Sequence, residues 1–139
     1  MNMSDRDRKF LWSRAGNRCS YNFKGQKCNV ELLKYVSGKL TALGEECHIV
    51  GETEKAPRYV DAFPERTTYY NAILLCKEHH KVIDDNADIY TVKALHEMKD
   101  THEEAVEQAA KQDTNKPPLK IKDEEFLKAV KGSQRDIEV

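Results

Sequence analysis

The sequence predicts an α+β fold, and three observations carry that expectation. Two short β-compatible runs, residues 45–50 (EECHIV) and 69–76 (YYNAILLC), stand on either side of an 18-residue loop. A helical pattern over residues 91–112 follows them, with Val92, Leu95, Met98, Ala105, Val106 and Ala109 at helical spacing. Four cysteines and five histidines occupy only 139 residues, which is more metal-ligating chemistry than a plain packed domain needs.

Each element has a local reason. Residues 4–15 read as a short helix: Ser4 suits the N-cap, Asp5 and Asp7 suit the positive helix start, and Gly16 suits the stop. Residues 17–28 form a loop bracketed by Cys19 and Cys28. Residues 29–36 alternate partly and read as a strand, and 37–44 as a turn-rich connection. Residues 45–50 read as a strand ending at Gly51. The loop 51–68 is longer than compact domains usually carry without a functional reason. Residues 69–76 read as a buried strand that turns at once into a short helix, 77–86. Thr91 suits the cap of the long helix. Pro117 and Pro118 mark residues 113–139 as a linker and tail, with one more short helix at 123–132 and a stretch outside the core. The domain division is therefore 1–112 and 113–139, the second leading toward a further sensor or regulatory unit.

Charge and composition exclude some functions. The net charge is only −1, so bulk electrostatics does not coat nucleic acid with this chain. The charge is unevenly spread, however: residues 1–30 hold seven Lys/Arg against two Asp/Glu, and 84–112 hold three against eight. No apolar run has the ~20 residues of a membrane span. The opening MNMSDRDRKF is charged and unlike a secretory leader, so a reducing, cytoplasmic setting is expected. With no C-x-x-C pair, thiol redox chemistry is a poor reading.

In that setting cysteines read as metal ligands or as free, buried thiols. Cys19 and Cys28 form one pair; Cys76 and His79, with two residues between them, form another on a strand-to-helix turn. Zinc takes four S/N ligands in a closed tetrahedron, and a Cys3His set is an accepted combination. Such a staple would tie the N-terminal loop to the central strand and helix.

A second set lies outside the zinc ligands. His48 sits in EECHIV, Asn71 opens NAILLC, and His80 and Asp84 fall one helical turn apart. Taken singly, each has an ordinary structural reading. Together with AGNRC at 15–19, HIV at 48–50, ILLCKEHH at 73–80 and YTVKALHEMKDTHE at 90–104, they resemble the HNH endonucleases, the ββα-metal or His-Me finger family. The resemblance runs from about Leu11 to Glu104, with His48, Asn71 and His80 in the H, N and H places and eight residues between the last two. Cys76 and His79 stand where many members carry a zinc-binding C-x-x-C.

The resemblance implies a ββα-metal core with a structural zinc and flanking helices, and a metal-dependent hydrolysis of DNA phosphodiester bonds. It assigns His48 as general base and Asn71 as the brace of the loop. His80 and Asp84 would hold a catalytic Mg²⁺ or Mn²⁺, acting as a Lewis acid on the leaving oxygen. Many members place Asp before the first His, as a metal ligand; here that residue is Cys47. Cys47 is a bystander with Asp84 supplying the oxygen, or it binds a softer ion, or it joins the zinc; the first reading is preferred because thiolate suits Mg²⁺ poorly. Glu46 is expected on the opposite strand face. Arg14, Arg18, Lys24, Lys27 and Arg58 are candidate phosphate contacts. His102 reads as a buried structural histidine.

Such modules often serve larger machines, among them bacterial antiviral effectors in which a ligand-sensing domain drives oligomerisation. The expected partners are therefore DNA, a fused or associated sensor domain, and a second copy of the chain as a homodimer, with weak cutting by the isolated module. The competing reading is a zinc-stapled nucleic-acid-binding module without catalysis.

Overall fold

A computed structural model describes residues 1–112 and 121–134. The expected linker and the last residues of the tail lie outside them. Among the described residues the chain is mixed α+β, with four helices and three small antiparallel sheets. No described helix is long and apolar enough to cross a membrane.

Helix α1 (Asp5–Arg14) starts where expected: the Ser4 hydroxyl accepts the Asp7 N–H at 3.1 Å. Its buried face carries Leu11 and Trp12. A small hairpin follows, β1 (Asn22–Phe23) with β2 (Gln26–Lys27), which presents Lys24 and Gly25 at its turn with positive φ. Next comes β3 (Leu33–Val36) paired with β4 (Lys39–Ala42) across Ser37-Gly38, both at positive φ. The second half of this hairpin lies in the 37–44 stretch expected to be a connection. Its strand character comes from pairing Val36 with Lys39 and Leu33 with Ala42, which no local pattern announces.

The central unit is β5 (Gly44–His48) antiparallel to β6 (Ala72–Cys76), followed directly by α2 (Lys77–Asp85). The strands are joined by the long loop and a single 3₁₀ turn, Tyr69–Asn71. Residues Ala72–Leu75 are wholly buried, as a strand covered on both faces must be. Alternation along β5 divides its side chains. Gly44 and Glu46 meet α1, where a Cβ on Gly44 would lie 3.0 Å from Trp12 and Leu32. Arg8 grips the Glu46 carboxylate with two hydrogen bonds of 2.7 Å, and Trp12 Nε1 adds a third at 3.0 Å. Glu45 and Cys47 face α2 instead, so the expected separation of Glu46 from Cys47 holds.

Helix α3 (Val92–Gln112) packs through Leu95, Met98 and His102, and His102 Nε2 donates to the Ala15 carbonyl at 2.8 Å. That is the structural role expected of His102. Helix α4 (Asp123–Ser133) forms where a short helix is expected, within the segment expected to be linker and tail. It joins the core rather than standing outside it, with Val130 fully buried and Phe126 edge-on to Trp12. Gln134 then pairs with the open edge of β5, accepting from Glu46 N and donating to the Gly44 carbonyl, both at 3.0 Å. An amphipathic helix with acidic first-turn residues can dock anywhere a complementary apolar surface exists; here β4, β5 and α1 supply it.

Candidate functional site: a Cys3His cluster and two histidines around one hairpin

The β5–β6 register places two constellations at opposite ends of one hairpin. Cys76 pairs with Gly44 at one end, and Ala72 pairs with His48 at the other. At ~3.3 Å per residue the ends are about 13 Å apart. Helix α2 runs back between them.

At the first end, the ligand atoms of Cys19, Cys28, Cys76 and His79 all lie within 4.8 Å of one another. Cys76 Sγ is 3.2 Å from His79 Nδ1 and 4.0 Å from Cys28 Sγ, and Cys19 Sγ is 3.8 Å from His79 Nδ1. A tetrahedral zinc with bonds of about 2.3 Å needs ligand separations of about 3.8 Å, so this donor set fits zinc in chemistry and in size. Local structure aims the ligands. Cys76 is the N-cap of α2 and accepts the His79 N–H, while Cys19 accepts the Cys76 N–H at 3.3 Å. Tyr21 stacks on the His79 ring at 3.9 Å and anchors its hydroxyl on Tyr90. Burial pushes the Cys19 and Cys76 thiols up, so a metal entering the cluster displaces protons.

At the other end, His48 closes β5. Its Nε2 is buried and, among the described residues, has no hydrogen-bond partner. Burial holds its pKa below the ordinary 6.5, opposed by the nearby Glu52 carboxylate, so the ring is neutral at pH 7. Asn71 clasps the chain just beyond it: its carbonyl oxygen accepts from Val50 N at 2.8 Å, and its amide donates to the carbonyls of Val50 and Arg66 at 3.0 and 2.9 Å. The backbone Ile49 N–H to Asn71 carbonyl bond completes the clasp. Asn71 is fully buried, and all three side-chain bonds go to backbone.

Between the two ends, His80 is engaged on both ring nitrogens. Nδ1 lies 2.9 Å from Glu45 Oε1 and Nε2 lies 3.0 Å from Asp84 Oδ2. These contacts, the Asp84 bond foremost and then Cys47 and Glu45, push its pKa up to about 11. Burial alone would raise Asp84, but His80 and Arg58 hold its carboxyl below the usual range. Burial pushes the Cys47 thiol up, so it stays protonated beside His80. The expected catalytic ion does not fit this arrangement. His80 has no free nitrogen, Asp84 gives one oxygen to His80 and the other to Arg58, and Cys47 is a neutral thiol that donates to the Glu45 carbonyl. The residue the sequence reading missed is Glu45. Its signal was available: it lies two residues before Cys47, hence on the same strand face.

The candidate phosphate contacts separate. Arg18, Lys24 and Lys27 are exposed around the zinc loop, with Arg18 bonded to the Asn29 carbonyl and Lys24 over the Phe23 ring. Arg14 is drawn to Glu103 at 3.4 Å and to Glu107 at 3.9 Å, which compete with any phosphate. Arg58 is a correction: its side chain is only 3% exposed and bonds to Asp84 and to backbone carbonyls, so it does not face a backbone of DNA. No family model matches the chain, and comparison with the curated proteins gives no match.

Proposed function

We propose that the chain is a nuclease of the HNH type that hydrolyses DNA phosphodiester bonds, with a structural zinc in the Cys3His cluster and His48 as general base. The observation that carries the reading is His48 itself. A neutral imidazole whose buried Nε2 has no partner among the described residues sits at the end of a strand whose exit is clasped by Asn71. A zinc-stapled binding module needs no such ring. Phosphodiester hydrolysis needs a base near working pH to take the proton of the attacking water, and a neutral imidazole supplies one. Asn71 keeps residues 49–50 in place and thereby the direction in which the His48 side chain leaves the backbone.

The exposed Arg18, Lys24 and Lys27 support a polyanionic substrate, attracted in a salt-dependent way. A divalent cation would supply Lewis-acid stabilisation of the leaving oxygen. The closed His80–Asp84 pair gives it no open position, and no step is assigned to it.

The test is plasmid cleavage by the wild-type chain and His48→Ala, with Mg²⁺, with Mn²⁺ and with neither. Cutting that drops on the order of a hundredfold or more in the variant supports the base role. Equal cutting by both overturns it. Salt-dependent DNA binding with no cutting under any condition favours the binding module.

A further inference from the structure

The 51–68 loop is longer than its span requires, yet it is held from inside. Gly51 packs against the returning chain so closely that a Cβ there would lie 2.3 Å from the Pro57 carbonyl oxygen and 2.7 Å from Ala56 Cβ. The turn back is made by Arg58, whose φ of 60° lies in the left-handed region that non-glycine residues rarely adopt. Its guanidinium then enters the core. Nε donates to the Ile49 carbonyl at 2.7 Å, and Nη2 to the His48 carbonyl at 3.2 Å and to Asp84 Oδ1 at 2.7 Å. Nη1 reaches the Ile83 carbonyl at 3.0 Å and the Tyr90 carbonyl at 3.5 Å. Burying a cation is costly unless every donor finds an acceptor. These five acceptors come from the end of β5, from α2 and from the segment just before α3.

We propose that Arg58 is a positioning residue of the His48 site, fixing the backbone on which His48 is carried and the Asp84 carboxylate in one rigid frame. The inference rests on the reading of His48 as the base. Arg58 touches no reacting atom in it. Its planar fork does what a lysine cannot: it bridges two consecutive carbonyls on one side and a carboxylate on the other. A loop tether would need only one of these contacts. The pairing of the His48 carbonyl with Asp84 through a single nitrogen, Nη2, links the strand that bears the base to the helix that bears its neighbours.

The experiment compares the full wild-type chain with Arg58→Lys, using zinc content, thermal unfolding, the pH titration of the His48 ring by NMR, and plasmid cleavage. The expected result is a folded variant with one zinc per chain and displaced His48 ring resonances. The His48 apparent pKa should move toward the ordinary 6.5, and cleavage should fall about tenfold to a hundredfold through kcat rather than KM. A folded variant with His48 resonances and titration identical to wild type overturns the proposal. If the wild type does not cut at all, the nuclease reading fails, while the His48 titration still decides the role of Arg58. If Arg58→Lys does not fold, the wild-type Arg58 Nε–H decides it: a resolved, exchange-protected signal supports the frame, and a rapidly exchanging one overturns it.

Discussion

At the scale of single residues, the site turns on which side chains are held by backbone and which are left open. Asn71 makes three buried bonds, all to backbone, while His48 Nε2 makes none among the described residues. Replacing Asn71 by Ala leaves a buried N–H and two carbonyls unpaired, which should cost about 2–3 kcal/mol in urea unfolding. Asn71→Asp should not restore it, because a carboxylate accepts from Val50 N but cannot donate to the Val50 and Arg66 carbonyls. His48 gives a pH prediction. Its folded pKa is below 6.5 because burial disfavours the charged ring. With His48 as the proposed base, its neutral form persists below pH 6.5, and the acidic limb of kcat/KM should fall beneath that value. The same shift means His48 favours the folded state above pH 6.5, and that contribution is lost as pH falls through its folded pKa. An acidic limb at or above pH 7 would count against His48 as the base. Both residues were legible in the sequence through their order and spacing. For Glu45 the sequence shows only that it shares the strand face of Cys47; its pairing with His80 on α2 is set by the fold.

At the scale of elements, β5 is the part on which everything else is registered. Glu46 ties it to α1, Glu45 ties it to α2, and Gln134 covers its free edge. The Arg8–Glu46 pair is buried, with side chains 7% and 0% exposed, so breaking it leaves an uncompensated charge. Arg8→Met should therefore destabilise by about 3–5 kcal/mol, seen as a lower denaturation midpoint. Helix α4 gives a sharper contrast. A tail would tolerate truncation of its apolar residues, whereas a core helix would not. Phe126 is 9% exposed and edge-on to Trp12, so Phe126→Ala should cost about 3 kcal/mol. Unchanged stability would return α4 to the status of an appendage. The helical period of α4 was readable in advance. Its docking was not, since the surface it meets is assembled from β4, β5 and α1, some eighty or more residues earlier in the chain.

At the scale of the whole molecule, the Cys3His cluster joins the N-terminal loop to the strand–helix turn, alongside the Ser20 N–H to Leu74 carbonyl bond at 2.9 Å. Cys19 and Cys28 come from the N-terminal loop, and Cys76 and His79 from the strand–helix turn. With metal bound only to the folded arrangement, binding free energy is folding free energy. Cys19→Ser, or a strong chelator acting on the wild type, should remove close to one zinc per chain and lower Tm by roughly 10 °C or more. Metal analysis paired with calorimetry checks both halves. Full stability after zinc loss would show that the hydrophobic core alone closes the N-terminal loop. The His48 end of the hairpin, about 13 Å away by strand rise, should lose order along with it, because α2 spans both ends.

What the sequence determined by itself was what neighbouring residues do to one another. Periodicity set the helices, the buried run at Ala72–Leu75 set β6, and four candidate metal ligands stood out among nine cysteines and histidines. Tertiary structure alone decided which partners distant residues find. An arginine in an exposed-looking loop reads as a surface cation until the chain turns back on Gly51 and carries Arg58 inside. The order of His48, Asn71 and His80 suggested an ion between helix and strand. The folded chain spends both nitrogens of His80 on Glu45 and Asp84, because alternation along β5 brings Glu45 to the face that meets α2.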